Sequence, residues 1–347
     1  MQTDSMIATA RALAAPGRGI LAADESTPTM AKRLAAIGVQ STEERRRTYR
    51  QLLFTTPGLG EHVSGVILFD ETARQVTDDG TAFVEVLRRQ GVVPGIKVDR
   101  GTTPLAGFPD EVITEGLDGL RPRLAEYAAM GLAFAKWRAV LRIGHEQPTA
   151  ACIEAHAHAL ARYAALAQEA GLVPIVEPEV LMDGDHTVER CAEVTVATLR
   201  AVYEHLARHR VVLEASLLKP NMVAPGKDCP DRADPERIAA ATMTVLRRAV
   251  PAAVPGIMFL SGGMSDLEAT ANLDALNRCG PQPWELSFSF GRALQAPVLH
   301  AWAGDDAHRE AAQAALAHRA AMNGAARRGS YHPDLERAVT VPAGVGA

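Results

Sequence analysis

The chain has 347 residues, with 36 Lys and Arg against 41 Asp and Glu, and its net charge of −5 provides no general basic field for nucleic acid or an anionic membrane. Four widely spaced cysteines, Cys152, Cys191, Cys229 and Cys279, form no Cys-x-x-Cys pair, so zinc-knuckle and paired redox readings lack support and reduced thiols are expected. No uncharged apolar stretch reaches the ~20 residues of a membrane-spanning helix.

The first thirteen residues, Met1 to Leu13, lack a basic region ahead of an apolar core. They read as a short helix and not as a signal peptide, so a soluble, cytoplasmic protein is expected. Short apolar runs then recur at spacings too wide for hairpins, over residues 17–24, 65–70, 93–99, 134–138, 172–179, 211–219, 255–261 and 286–289. Helical periodicity fills the gaps, as in 152–168, 188–208, 235–248 and 265–278. Two helices open on capping-box sequences, Ser41-Thr-Glu-Glu44 and Ser265-Asp-Leu-Glu268. Strand alternating with helix implies a parallel sheet. Eight such units over residues 17–304 suit an α/β fold, a single (β/α)8 TIM barrel, with an open doubly wound sheet as the competitor. The barrel is preferred because polar residues finish nearly every strand, whereas an open sheet gathers its ligand groups at one switch point. One domain is expected over 1–347, with an Ala-rich helix at about 306–326 and a mobile Pro- and Gly-containing tail over 327–347.

In a barrel of this kind all strand ends face one opening. They supply Asp24, Glu25 and Ser26, then Asp70, Lys97 with Asp99, Lys136 with Arg138, Glu177 with Glu179, Lys219, Ser261, and Ser289 with Arg292. Lys219 ends the run Val211-Val-Leu-Glu-Ala-Ser-Leu-Leu-Lys219, where a buried lysine is costly unless something uses it. A neutral lysine is a nucleophile and can form an iminium that acts as an electron sink. Its ordinary pKa of ~10.4 must then be lowered by an apolar pocket or nearby cations, for which Lys97 and Lys136 are candidates. Glu177 and Glu179 lie two apart, so the pleat aims both carboxylates to one side, and with Asp24 they are the available acids and bases. The bland alternatives are a lysine ion pair inside the barrel and salt bridges from the glutamates to Lys136 or Arg138.

Phe259-Leu-Ser-Gly-Gly263 and Phe288-Ser-Phe-Gly-Arg-Ala293 follow the seventh and eighth strands, where barrels commonly bind phosphate. A second anion site could draw on Ser26, Arg33, Lys97 and Arg138, while Lys32 reads as a solvated helix residue. His156-Ala-His158 falls on a helix, where residues two apart diverge by ~200° and cannot chelate one ion. His186 reads as a turn and cap element, and no metal is expected.

Taken in order, Gly19-Ile-Leu-Ala-Ala-Asp-Glu-Ser-Thr27, Gly65-Val-Ile-Leu-Phe69, Gly95-Ile-Lys-Val-Asp99, Phe134-Ala-Lys-Trp-Arg138, Val173-Pro-Ile-Val-Glu-Pro-Glu179, Leu217-Leu-Lys-Pro-Asn-Met222, Phe259-Leu-Ser-Gly-Gly263 and Gly291-Arg-Ala-Leu294 resemble the class I, Schiff-base-forming fructose-bisphosphate aldolases of glycolysis and gluconeogenesis. The resemblance implies reversible cleavage of fructose 1,6-bisphosphate, with Lys219 forming the Schiff base. Glu177 would be the main general acid/base, with Glu179 and Lys136 beside it, and Asp24 would bind the reacting hydroxyls. It assigns Ser261, Gly262, Gly291 and Arg292 to the phosphate of the dihydroxyacetone-phosphate half, and Ser26, Thr29, Arg33, Lys97 and Arg138 to the other half. It further implies no cofactor, no metal and a homotetramer. Animal-type members end in a tyrosine that assists proton exchange, whereas the last tyrosine here is Tyr331 and the chain ends Val339-Thr-Val-Pro-Ala-Gly-Val-Gly-Ala347. Bisphosphate versus monophosphate preference therefore stays open. The rival readings are a Schiff-base aldolase for another phosphorylated ketose and a non-catalytic sugar-phosphate-binding scaffold.

Overall fold

A computed structural model describes residues 2–337. It has ten strands: β1 (Gly19–Ala23), β2 (Val63–Leu68), β3 (Val93–Lys97), β4 (Thr102–Pro104), β5 (Val112–Thr114), β6 (Phe134–Leu141), β7 (Val173–Val180), β8 (Leu217–Leu218), β9 (Gly256–Phe259) and β10 (Glu285–Phe290). All but β4 and β5 pair in parallel into one closed barrel in which each strand lies beside its predecessor. Each of the eight predicted runs meets one barrel strand. The antiparallel β4–β5 hairpin, with its exposed first strand, was not foreseen because its residues lack an apolar alternation.

Period two along the strands explains both the core and the mouth. Ile20 and Ala22 belong to the apolar filling of the barrel, and the next residue of that parity is Asp24. Likewise Val173 and Ile175 lead to Glu177 and Glu179, Phe134 leads to Lys136 and Arg138, and Leu217 leads to Lys219. Residues of the other parity, such as Leu21, Ala23, Val176 and Leu218, join the larger core between barrel and helices. The N-terminal helix Gln2–Leu13 plugs the floor, where Met6, Ala10 and Leu13 pack with Ile20, Phe134 and Met258. Burying each such large side chain stabilises the fold by about 1.5–3 kcal/mol.

The helices Ala150–Glu169, Val188–Arg208, Pro235–Ala249 and Asp266–Arg278 match the predicted segments to within two residues at each end. The capping box at Ser265 and Glu268 is formed. The one expected at Ser41 is not: Thr42 is the cap, accepting a bond from Arg45 N, and Glu44 turns to Arg47. His186 is not a cap either, since Thr187 caps Val188–Arg208 and neither buried His186 ring nitrogen has a partner.

Two further expectations change. Only Leu217–Leu218 of the 211–219 run is strand; a 3-10 turn, Leu213–Ala215, occupies its middle because Gln168 engages Val212 and Ala215. Residues 327–337 of the predicted tail are built into the fold. Arg327 donates to the carbonyls of Ala14, Ala15, Arg18 and Leu286, and the turn Pro333–Arg337 is held through Glu336 to Arg319 and His318. Residues 338–347 of that tail lie outside the described residues.

Candidate active site

The carboxyl ends of the barrel strands enclose a cavity of about 470 Å³. Lys219, Glu177, Glu179, Asp24 and Lys136 line it, as do Ser26, Thr29, Arg33, Lys97, Arg138, Ser261, Gly262, Gly291 and Arg292, so every residue assigned a site role is brought together. Asp70 is not among them. The chain turns outward after β2 into the short helix Asp70–Ala73, and Asp70 accepts bonds from Arg74 and the Tyr127 hydroxyl.

Strand register sets the geometry. Lys97 on β3 is level with Lys136 on β6, and Arg138 is level with Glu177 on β7. Lys219 Nζ stands 3.0 Å from Glu177 Oε1. Lys136 Nζ lies 2.6 Å from Asp24 Oδ2 and 3.1 Å from Glu177 Oε2, the latter as a charge contact without hydrogen-bond alignment. Two ammonium and two carboxylate groups thus form one continuous chain, Lys219–Glu177–Lys136–Asp24, buried up to Asp24, which is partly exposed at its end.

Each charge in that chain is shaped by its neighbours. Burial pushes the Glu177 carboxyl up, but Lys136, Lys219 and Arg138 together outweigh it and hold the group below the usual carboxylate range. The same contest, burial against Lys136 and Lys219, leaves Asp24 well below that range. Burial lowers the Lys136 ammonium, yet Asp24 and Glu177 raise it overall. The structure therefore holds Lys136 as a fixed cation and both carboxyls as anions that can accept a proton.

Around this chain the residues expected to meet phosphate fall into two sets. On one side Lys97 pairs with Asp99 at 2.9 Å, Arg138 with Glu179, and Arg33 with Glu25. Ser26 and Thr29 share a hydroxyl bond at 3.1 Å beside them. On the other side are Ser261, the consecutive left-handed glycines Gly262 and Gly263, and Arg292. Among the described residues no carboxylate pairs with the Arg292 guanidinium, and the buried Ser289 hydroxyl has no partner. Unmatched donors at a glycine-rich turn form a ready anion cradle.

Sequence reasoning passed over several neighbours. Arg50, fully buried, reaches Glu25 at 2.5 Å, and Gln295 donates to the same carboxylate. Both lie in helix interiors, and only the tertiary fold brings them under the cavity. Lys227 and Asp183 also line it, from loops after β8 and β7. Tyr331 does not: it borders an adjoining apolar cleft that shares Met182, Lys227 and Gly263 with the cavity but contains neither Lys219 nor Glu177. Burial and the neighbouring Glu336 push its hydroxyl up to about 12. Among the described residues, no group of three His, Cys, Asp or Glu is arranged to hold a metal ion, and no helix is long and apolar enough to cross a membrane.

Comparison with known proteins matches this geometry to a family. The family model described as fructose-bisphosphate aldolase class-I covers residues 5–342. A probable fructose-bisphosphate aldolase class 1 of Xanthomonas campestris is 53% identical over 332 residues, 95% of this chain and 99% of that protein. The cytosolic fructose-bisphosphate aldolase 4 of Arabidopsis thaliana is 52% identical, over 97% and 86% of the two chains. The solved aldolase of Plasmodium falciparum, determined in complex with TRAP and a small-molecule inhibitor, superposes with a TM-score of 0.94 at 46% identity, over 95% of this chain and 96% of that one. With a strand-borne lysine and carboxylates inside a closed barrel, and similarity running nearly end to end, the chain belongs to the class-I fructose-bisphosphate aldolases, a family of lyases.

Proposed function

We propose that the cavity cleaves fructose 1,6-bisphosphate reversibly through an iminium on Lys219. The observation that carries this reading is the Glu177 carboxylate shared between Lys219 and Lys136, 3.0 and 3.1 Å away. Glu177 takes a proton from the Lys219 ammonium, the freed amine adds to the C2 carbonyl, and Glu177 returns a proton as the carbinolamine loses water. The C3–C4 bond then breaks: the C4 hydroxyl gives its proton to a carboxylate, and the electron pair moves into the iminium to leave an enamine. Glyceraldehyde 3-phosphate departs. Protonation of C3 and hydrolysis of the restored iminium release dihydroxyacetone phosphate and regenerate Lys219.

In this scheme Asp24 binds the reacting hydroxyls, and Lys136 keeps Glu177 and Asp24 anionic until a proton arrives. Glu179 orients Arg138. Ser261, Gly262, Gly291 and Arg292 hold the phosphate of the dihydroxyacetone-phosphate half, and Ser26, Thr29, Arg33, Lys97 and Arg138 serve the other. Cationic side chains line both ends of the cavity, and a bisphosphate would engage both sets where a monophosphate engages one. The family resemblance supports a homotetramer acting in the cytoplasm. Light scattering at four times the mass of the chain, and activity in the cytosolic fraction, are the expected outcomes.

The direct test is borohydride reduction with dihydroxyacetone phosphate followed by peptide mass spectrometry. A stable adduct on Lys219 is expected, and Lys219→Met should lose both adduct and turnover. Turnover retained by that variant would sink the mechanism.

A further inference from the structure

We propose that Lys227 is an additional, specificity-determining cation for the phosphate of the dihydroxyacetone-phosphate half, held in reserve by Asp183 until that phosphate arrives. The inference rests on the function proposed above and adds a residue to its phosphate end. Lys227 lies in the loop after β8, nine residues from the end of that strand, and nothing in its local sequence marks it out.

The backbone that carries it is fixed with care. Lys227 N donates to Met182 O at 2.8 Å, Gly226 N to His186 O at 2.8 Å, and Asp228 N to Gly184 O at 2.9 Å, so the loops after β7 and β8 are stitched together. Gly226 is required there, because a Cβ on it would stand 2.1 Å from Gly184 O. Arg232 donates to Lys227 O at 2.9 Å and closes the other side.

From this anchor the side chain reaches over the glycine turn. The point where a Cβ on Gly263 would stand is 3.1 Å from Lys227 Nζ and 3.8 Å from Arg292 Nη1. Two cations therefore converge over Gly263, in the turn that carries Ser261. Among the described residues Arg292 has no carboxylate partner. Among the same residues Lys227 pairs with Asp183, at 3.0 Å, and both side chains of that pair are about half exposed at 47% and 54%. Exposed pairs of this kind hold weakly. Two like charges facing one glycine turn are best satisfied by a dianion, and a phosphate seated there offers Lys227 a stronger partner than Asp183. The ammonium then moves from the carboxylate to the phosphate with no change in the stitched backbone.

The test is product inhibition and steady-state kinetics with Lys227→Met and Lys227→Arg, alongside wild type. A charge-assisted contact at a half-exposed site should make Lys227→Met weaken dihydroxyacetone phosphate about tenfold, and raise KM for fructose 1,6-bisphosphate with little change in kcat. The inhibition constant of glyceraldehyde 3-phosphate, which occupies the other end, should stay within about twofold of wild type, given the distance-limited reach of a screened charge. Lys227→Arg should recover most of the dihydroxyacetone phosphate affinity. Equal dihydroxyacetone phosphate constants in wild type and Lys227→Met, or an equal loss for both products, would overturn the assignment. Borohydride trapping separates the two levels: no adduct in wild type fails the parent mechanism, while a normal adduct with unchanged constants in the variant fails this inference alone.

Discussion

Lys136 is the residue on which the charge chain turns, since it is buried and faces Asp24 and Glu177 at once. Removing one member of a buried ion pair strands its partners, which costs about 3–5 kcal/mol. Lys219 still faces Glu177, so Lys136→Met should sit at the low end, about 3 kcal/mol by urea unfolding at neutral pH. The loss should shrink as pH falls, because burial unopposed by Lys136 raises the stranded carboxyls and protonation then removes their charge. A variant as stable as wild type at neutral pH would mean that Lys219 alone neutralises the site. At this scale the sequence is informative where residue type and strand parity coincide. Lys219, Glu177 and Glu179 sit at apolar-run ends, and a pleat has only two sides. Lys227, Arg50 and Gln295 carry no such signal, because loops and helix interiors place charged residues on the surface by default.

At the scale of elements, helix ends separate what local chemistry decides from what it does not. The box at Ser265 forms because Glu268 is free to reach back, with its Oε2 2.9 Å from Ser265 N. Ser265→Ala should therefore cost about 1 kcal/mol, seen as a lower melting temperature without loss of the product-binding constants. No change in stability would show that this helix is held by packing alone. At Ser41 the same pattern yields to competition, since Glu44 is taken by Arg47 and the cap passes to Thr42. The shortness of β8 has a comparable cause. Gln168, on a neighbouring helix, bonds the backbone of Val212 and Ala215 and bends the apolar run into a turn before the strand begins. Apolar runs predict that a segment is buried; a distant side chain can still decide its backbone.

On the scale of the whole molecule, residues 331–337 are docked onto the barrel's outer helices, where Glu336 accepts from Arg319, His318 and Tyr331 beside the apolar cleft. Burial raises the Glu336 carboxyl, but the bonds from Arg319 and His318 prevail and hold it below its ordinary 4.5. A depressed carboxyl contributes stability that is present above 4.5 and lost as pH falls through the lower folded value. Amides of residues 331–337 should thus lose hydrogen-exchange protection under acid before the barrel does, while remaining protected at pH 6. Loss of protection in step with the barrel strands would refute an independent latch.

By itself, the sequence determined the parallel barrel, its eight strands, the long helices and most of the charged groups at the strand ends. Those features follow from short-range periodicity and from the rule that strands of a closed parallel barrel end on one side. Only the tertiary structure decided which carboxylate faces which lysine, the antiparallel hairpin, the turning away of Asp70 and the docking of residues 327–337. It alone brought Lys227 to Arg292 across the glycine turn. Such pairings join residues far apart in the chain, and their energies depend on burial and distance that no local window contains.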